Sequence, residues 1–382
     1  MLSPLNTNVM TNLKPVIMKR LFLLTTTIFA GMMICAISDV YAQAKSDKLK
    51  TIDIKTDNIE ILNIDNLPKI KFDPGENIEN MISMMFIQPF IFGDKILIDS
   101  WATLANVHKV MVYNRKGEYL NTITQSGRAQ YEIPQGNLRS IWVKDDHAFI
   151  MDSKRRILEF TIDGKFVTEH MIESSSQSNS ILSIQPLGDG YIANIMVQVP
   201  SSQSVCLEEF VPILARYDRN FKFVGYVGED IIRRCARGSV NLFSYGNGIN
   251  IEQYGVIYNV DSRFRITRKF RVGFDGVFQD DYDTPAKEEA AVKASMVVSD
   301  KARQFIRNVN VTKNYLSFVY RQMGKDYFVA CDINHRKSKV YKIESSTPIM
   351  GIFADGDQIY FFNEGDDWTN MCIIENVGDL CK

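Results

Sequence analysis

Histidine and cysteine are scarce in this chain, and neither forms a pattern that supports metal or redox chemistry. Four histidines are present, and no H-E-x-x-H motif or other close pair occurs, so a zinc site has no support. A C-x-x-C pair, a P-loop, a G-x-G-x-x-G loop and a G-x-S-x-G elbow are also missing. These absences exclude a thiol redox motif, the common phosphate-binding loops and an α/β-hydrolase domain. We expect the histidines in turns or at strand edges: His108, His147, His170 and His335.

An excess of charge is missing as well. The formal net charge is -1, which gives no electrostatic reason to expect binding to nucleic acid or to an anionic membrane surface. The 382 residues are 45% hydrophobic and 23% charged, so we expect a packed core and not a disordered chain. This length suits one large all-β domain or two smaller domains.

The N-terminus is organised like an export signal. Lys19 and Arg20 precede a short apolar run, and small residues offer cleavage near Ala42 or Ala44. Residues 1–44 are therefore predicted to be a signal peptide, in which residues 1–17 are an N-terminal extension or follow a misassigned start. An uncleaved anchor is the alternative, but the run is too short and too rich in threonine for a spanning helix.

The cysteines point to few covalent links. A lipoprotein is not expected, since the bulky Met33 and Ile34 precede Cys35. Five cysteines remain after cleavage, so at least one is unpaired within the chain. Cys331 lies in an apolar strand pattern and is expected to be a small buried hydrophobic residue. The candidate pairs are Cys372 with Cys381, which would clip the C-terminal tail, and Cys206 with Cys235.

A turn-and-strand unit returns six times after residue 84. Each copy has a Gly, Asp or Asn turn, an apolar strand, a second strand ending in a polar turn, and a third strand. A unit of this size cannot bury its own apolar face, so its recurrence predicts stacked sheets. We therefore predict an all-β fold, a six-bladed β-propeller, over residues 45–382. The units cover about residues 84–125, 137–173, 180–228, 239–274, 305–344 and 349–380.

Two segments modify this ring. Thr284 as N-cap and Pro285 at the first helical position predict a helical insertion between blades 4 and 5, which continues towards Ala302. The sixth unit is one strand short, and an open ring would expose sheet edges. We expect residues 51–54 or 59–64, which alternate apolar and polar side chains, to supply the closing strand.

One stretch carries a family resemblance. Residues 113–133 run from a strand through a turn at Gly117 into a loop that contains Gly127, Tyr131 and Glu132. This stretch resembles the exported six-bladed β-propeller proteins of Gram-negative bacteria, which are akin to NHL-repeat and TolB-like propellers. The loop keeps one glycine and the aromatic–acidic pair of that family's G-x-G-P-G-E-Y-like loop and loses the rest. Over about residues 50–382, the resemblance implies the fold and an exported location but no reaction.

Four residues stand out as candidate ligand contacts. Asp99 and Asp152 end strands of the first two units, at places that look equivalent and that can face a channel mouth. The alternative is a turn aspartate that caps its own backbone. Trp101 and Trp368, both in predicted loops, are candidates for stacking on a sugar, whereas Trp142 is expected in the core.

No catalytic residue, metal or cofactor is predicted. Acidic clusters at 280–283 and 364–368 offer oxygen ligands for Ca²⁺. Neither has the spaced D-x-[DN]-x-[DN]-G pattern, so solvated loop charge is the expectation.

These observations favour an exported, non-enzymatic binding or scaffold module in the periplasm or at the cell surface, with no transmembrane segment in the mature chain. Its loops on one face would hold a protein, peptide or glycan around a central depression. The alternative is a propeller hydrolase or lyase for a sugar or lactone, which needs carboxylates or histidines converging at one channel mouth. A purely structural role in an envelope complex would require a large exposed apolar patch.

Overall fold

The computed structural model describes most of the chain after residue 48. Leu49–Lys382 form one compact unit, and Met1–Lys48 lie outside the described residues. The signal peptide and the helix from Thr284 also lie outside them. Within the described ranges, no helix is long and apolar enough to cross a membrane. The described residues are 49–75, 82, 86–102, 107–134, 138–174, 178–200, 208–229, 231–232, 240–245, 248–278, 305–322, 325–365 and 369–382.

The strands form six sheets of mostly consecutive antiparallel strands, one sheet for each blade. Inner strands such as β9 are buried on both faces, whereas outer strands such as β11 alternate between half-buried and exposed side chains. Three short strands come first in the chain: β1 (Lys50–Ile54), β2 (Ile59–Asn63) and β3 (Lys69–Lys71). Blade 1 contains β4 (Phe86–Phe92), β5 (Lys95–Ala102), β6 (Val107–Asn114) and β7 (Tyr119–Gln125). Blade 2 contains β8 (Leu138–Lys144), β9 (His147–Asp152), β10 (Arg156–Thr161) and β11 (Phe166–Met171). Blade 3 contains β12 (Ser178–Leu187), β13 (Gly190–Pro200), β14 (Glu208–Tyr217) and β15 (Phe223–Val227).

The second half of the ring repeats this plan. Blade 4 contains β16 (Asn241–Tyr245), β17 (Gly248–Gln253), β18 (Val256–Val260) and β19 (Ile266–Phe274), with β20 (Val277–Phe278) paired to the end of β19. Blade 5 contains β21 (Phe305–Val311), β22 (Tyr315–Gln322), β23 (Lys325–Asp332) and β24 (Lys337–Glu344). Blade 6 contains β25 (Ile349–Asp355), β26 (Gln358–Glu364) and β27 (Thr369–Ile374), and a short 3-10 helix (Val377–Cys381) follows it.

The six blades close into a ring. The first strand of each blade contacts the first strand of the next, from β4 through β8, β12, β16 and β21 to β25, and β25 contacts β4 again. Six separate apolar clusters fill the six junctions between neighbouring blades. The predicted six-bladed β-propeller is therefore confirmed, and the predicted units match the blades to within a few residues.

The three N-terminal strands wrap the outside of blades 4, 5 and 6 in chain order. β1 pairs in parallel with β19, and β2 pairs in parallel with β24. β3 pairs antiparallel with β27 and supplies the missing fourth strand of blade 6. The prediction that residues 51–54 or 59–64 close the ring is therefore wrong, because those residues extend blades that already have four strands. We call residues 50–73 the N-terminal strap.

The strap ends at the seam between blades 6 and 1. The backbone of Asp73 exchanges hydrogen bonds with Gly117 and Tyr119 of blade 1. Gly117 has φ of 86°, and a Cβ on it would lie 1.8 Å from the Lys71 carbonyl oxygen. Only glycine therefore lets the blade 1 turn approach β3 this closely.

The cysteines are mostly core residues. Cys331, Cys372 and Cys381 are free, buried thiols, so Cys331 is a small buried hydrophobic residue as predicted. The candidate clip between Cys372 and Cys381 is not formed, and both free thiols pack into the core between blades 5 and 6. Burial raises the pKa of the Cys381 thiol to about 11. Cys206 and Cys235 lie outside the described residues.

Candidate functional site

The strand order divides the loops between two faces of the ring. Because neighbouring strands run antiparallel, the turns after the first and third strands of each blade lie on one face, the turn face. The links after the second strands and the links between blades lie on the opposite face, the connection face. The first strands of the blades border the central channel: β4, β8, β12, β16, β21 and β25.

Asp99 and Asp152 lie at the same blade junction but are not equivalent. Each is near the connection-face end of a second strand, β5 or β9. Asp99 shares a side of its strand with Leu97, and Asp152 shares one with Ile150, and both apolar residues pack between blades 1 and 2. The two aspartates therefore lie on the facing sides of blades 1 and 2, on opposite sides of their own sheets.

Asp99 is held by a buried hydrogen bond with His108. Its carboxylate lies 3.1 and 3.3 Å from Nδ1 of His108 on the neighbouring strand β6. Each residue is 7% exposed. We assign the Nδ1 proton of His108 as the donor, since the carboxylate oxygens accept. The pair gives each buried polar group a partner and holds the imidazole in one orientation.

Asp152 caps a turn and anchors an arginine. Its Oδ1 accepts from the backbone N–H of Lys154 at 2.8 Å and of Arg156 at 3.1 Å. Its Oδ2 accepts from Arg156 Nε at 3.0 Å. The turn-capping alternative for Asp152 is therefore confirmed. Arg156 also donates to the carbonyl oxygen of Glu132 at 3.1 Å, which ties the blade 2 turn to the link from blade 1.

That link is the loop that carried the family resemblance. The Oε2 atom of Glu132 accepts from the backbone N–H of Ala129 at 2.8 Å, and this bond holds the pKa of the carboxyl below its usual value. A Cβ on Gly127 would lie 1.8 Å from the same oxygen. Tyr131 is exposed and stacks on Phe166 of blade 2 with ring centroids 3.9 Å apart. The loop therefore joins blades 1 and 2 and presents an aromatic ring on the surface.

The tryptophans divide differently from the prediction. Trp101 belongs to β5 and not to a loop, and its side chain lies outside the described part of the molecule. Trp368, in the link between β26 and β27, also lies outside it. Trp142 is 1% exposed and stacks on Phe149 in the core between blades 2 and 3, as predicted.

Polar side chains on the channel-bordering strands join one blade to the next. Ser140 Oγ donates to the Ile184 carbonyl oxygen at 2.9 Å. Asn308 donates to the Ile352 carbonyl oxygen. In the same way, Ser244 Oγ donates to Gln185 Oε1 at 2.6 Å, and Asn310 Nδ2 donates to the Gly356 carbonyl oxygen at 2.6 Å. These side chains therefore fix the ring and are not spare groups for chemistry.

Acidic groups are few around the channel. The six channel-bordering strands contain one carboxylate, Asp355 at the turn-face end of β25, and no histidine. Their cations include Arg139, which is exposed, and Arg307, which shares Asp326 with Arg321. Among the described residues, no group of three His, Cys, Asp or Glu side chains is arranged to hold a metal ion. The described channel wall therefore offers neutral polar and cationic contacts.

One buried carboxyl adjoins this wall on the connection face. Glu252, at the end of β17, is 4% exposed. It accepts from Asn241 Nδ2 at 2.7 Å and from the Gly255 N–H at 3.0 Å. Burial raises its pKa to about 7, against the effect of these two hydrogen bonds. A ligand in the channel meets Asn241 before Glu252, since Asn241 belongs to the inner strand.

A depression of about 490 Å³ lies on the turn face between blades 1 and 2. Its charged wall includes Asp94, Lys95, Asp146 and Asp163, and Lys95 Nζ lies 3.3 Å from Asp163. His147 also lines it and is bonded to Glu159 of β10. Neither predicted aspartate contributes to this depression.

Sequence reasoning missed the partners of the two aspartates. His108 and Arg156 lie on the strands that follow them. In the register of β5 and β6, Asp99 pairs with Val110 and His108 pairs with Trp101, so His108 lies diagonally across from Asp99. An aspartate followed by an arginine four residues later across a turn was visible for Asp152. No such local signal exists for Asp99, whose partner is nine residues away in the chain.

Several solved structures resemble this chain to different degrees. A Bacteroides fragilis protein assigned as exported matches with a TM-score of 0.58 at 14% identity, over 85% of this chain and 99% of that one. BamB from Moraxella catarrhalis matches with a TM-score of 0.34 at 13% identity, over 79% of this chain and 76% of that one. The propeller domain of the Trilobed protease from Pyrococcus furiosus matches with a TM-score of 0.40 at 13% identity, over 75% of this chain and 81% of that one. No family model matches the chain, and no curated protein matches it.

The chain is thus a six-bladed β-propeller, a class that hosts many unrelated functions. At 14% identity, the likeness to the Bacteroides fragilis protein shows the fold alone.

Proposed function

We propose that this chain is an exported binding or scaffold propeller that holds a protein, peptide or glycan at the mouth of its channel on the connection face. The predicted export signal and the likeness to a protein assigned as exported support this location. The ligand would be held by shape and by polar contacts, without bond making or breaking. The proposed protein would be a propeller of the NHL-repeat or TolB-like type, which the sequence resembles.

The composition of the channel wall carries the proposal. An enzyme of this kind needs several acidic or basic side chains that converge on the reacting atom of its substrate. The described inner strands supply one carboxylate, at the far face, and the predicted Asp99 and Asp152 already have internal partners. Exposed Arg139 and the polar wall suit ligand contacts instead.

The hydrolase or lyase alternative has one supporting observation. The Asp99–His108 pair is the arrangement that orients an imidazole as a general base. This base would need a substrate-bearing pocket beside it, and the 490 Å³ depression lies on the other face. The binding role is therefore the better supported one.

The test uses tagged protein from Lys45 to Lys382 with envelope extract, a peptide array and a glycan array. We expect a specific ligand that is lost in Arg139→Glu on the connection face. Lys116→Glu, an exposed change in a turn on the turn face, should retain it. Equal capture by both variants would contradict the site, and turnover of an arrayed glycan or lactone that His108→Gln abolishes would favour the enzyme.

A further inference from the structure

A small cavity lies between the N-terminal strap and blade 5. One wall is β1, and the other is the end of β23 with the turn that joins it to β24. The cavity measures about 70 Å³. This volume has room for a few water molecules or one small polar group, and it is far below that of a pocket for a drug-sized ligand. A group bound in this strap cavity would contact the strap and blade 5 at once.

Three cationic residues line the strap cavity. Lys50 belongs to β1, Arg336 to the turn after β23, and Lys337 to the start of β24. Within the described ranges, none of these three side chains has a hydrogen bond or an ion pair. Cations gathered around one cavity repel each other, so an anion between them is electrostatically favoured.

The two carboxylates that line the strap cavity are already engaged. Asp53 accepts from the backbone N–H of Gly276 with Oδ1 and from Lys55 Nζ with Oδ2. Asp332 Oδ1 accepts from the backbone N–H of His335 at 3.0 Å, and Oδ2 lies 2.8 Å from Nδ1 of the same residue. The bond to the His335 side chain holds the pKa of the Asp332 carboxyl below its usual value. All four carboxylate oxygens therefore have partners other than the three cations.

The rest of the lining is neutral. Thr51 and Ser338 carry hydroxyls that can donate to an anion. The apolar part includes Ile333, which is 6% exposed, and Cys331, which is 2% exposed. Burial raises the pKa of the Cys331 thiol, so this group stays neutral at physiological pH. The unengaged groups of the strap cavity are therefore cations and hydroxyls, a set that favours an oxyanion.

We propose that the strap cavity binds a phosphate group, either as free phosphate or as part of a lipid headgroup. A phosphate has acceptor oxygens in several directions, which suits donors on two walls better than the planar acceptors of a carboxylate do. With Lys50 on one side and Arg336 and Lys337 on the other, the bound group would tie β1 to blade 5. The turn of residues 333–336 lies on the turn face, so the proposal is independent of the channel-mouth ligand.

The test titrates inorganic phosphate into the protein from Lys45 to Lys382 by isothermal titration calorimetry, at constant ionic strength. We expect saturable binding and slowed amide hydrogen exchange over β1, because the ligand stabilises the state in which the strap is docked. A second arm measures cosedimentation with phosphatidylcholine vesicles that contain phosphatidylglycerol. Binding to these vesicles without a response to inorganic phosphate would identify a lipid headgroup, and the reverse would identify free phosphate.

Arg336→Gln and Lys337→Gln should each weaken the binding at least tenfold, because each removes a charged donor from the strap cavity. Arg219→Gln is the matched control. Arg219 is an exposed arginine in the corresponding turn of blade 3, between β14 and β15, on a blade that β1 and β2 do not extend. It should bind as the unchanged protein does.

Three results would overturn the proposal. The first is no response to inorganic phosphate or to the vesicles. The second is an equal loss of binding in Arg219→Gln and Arg336→Gln, which would show a general charge effect. The third is binding that leaves the hydrogen exchange of β1 unchanged. The melting temperature of each variant shows that it is folded, and if Arg336→Gln fails this check, Lys337→Gln decides.

Discussion

The seam between blades 6 and 1 gives the sharpest test of how the ring is held closed. Phe72 follows β3 and is 2% exposed. Its ring lies 4.9 Å from that of Tyr113 in blade 1 and 5.9 Å from that of Phe362 in blade 6. One side chain thus bridges the two ends of the ring. Phe72→Ala removes this bridge and leaves a cavity, at a cost of about 3–5 kcal/mol in the free energy of unfolding.

This cost converts into a measurable shift of the melting temperature. An unfolding entropy of about 2.1 cal/mol/K per residue over about 330 residues gives about 0.7 kcal/mol/K. We therefore expect Phe72→Ala to lower Tm by about 4–7 °C in calorimetry, with the free energy checked by urea denaturation. The control Ile61→Ala, at an exposed residue of β2, should change the free energy of unfolding by less than about 0.5 kcal/mol.

A deletion distinguishes the strand that closes the ring, β3, from the strands β1 and β2, which extend complete blades. Removing Leu49–Asn63 takes away β1 and β2 but leaves β3 in blade 6. The shortened protein should be less stable, yet unfold in a single transition. If Phe72→Ala costs less than about 1 kcal/mol while the deletion prevents folding, β3 does not close the ring and the reasoning is refuted.

Three further changes test the polar groups of the ring. Arg156→Ala leaves the Asp152 carboxylate buried without its guanidinium and should cost about 3–5 kcal/mol by urea denaturation; a loss below 1 kcal/mol would contradict the ion pair. Burial raises the Glu252 pKa from 4.5 to about 7, so between these two pH values the folded state binds a proton that the unfolded state has lost. The free energy of unfolding should therefore fall by about 3 kcal/mol as the pH rises from about 4.5 to 7. Glu252→Gln should flatten the dependence of the urea midpoint on pH in this range, and an unchanged slope would show that other groups cause the pH dependence. Gly127→Ala should cost about 1–2 kcal/mol because it displaces Glu132, and almost nothing in a Glu132→Ala background; equal costs in both backgrounds would contradict the contact.

The repeated units were predictable because their information is local. Apolar alternation and Gly, Asp or Asn turns mark each strand pair, and turn residues such as Gly93, with φ of 53°, need that conformation. The fifth predicted unit, residues 305–344, coincides with β21 to β24. A repeat that cannot bury its own face leaves few architectures, so the number of copies indicated the number of blades.

The closing strand was not predictable, because local alternation shows that a strand exists but not which edge it joins. β1 and β2 alternate clearly and extend complete blades, whereas the closing β3 is only three residues long, Lys-Ile-Lys. Its place depends on Gly117 approaching the Lys71 carbonyl and on Phe72 reaching two blades. These are contacts between distant parts of the chain, which a single sequence does not display.

The candidate aspartates show the same limit for function. The sequence marked Asp99 and Asp152 as polar groups at strand ends, and the structure places both at one blade junction with internal partners. Burying such pairs costs desolvation that their hydrogen bonds only offset, so they add little net stability. Each pair is directional, however, whereas the apolar cluster between blades 1 and 2 is not. Arg156 fixes the blade 2 turn to the loop that presents Tyr131, so these polar pairs position the connection face and are not themselves free to contact a ligand.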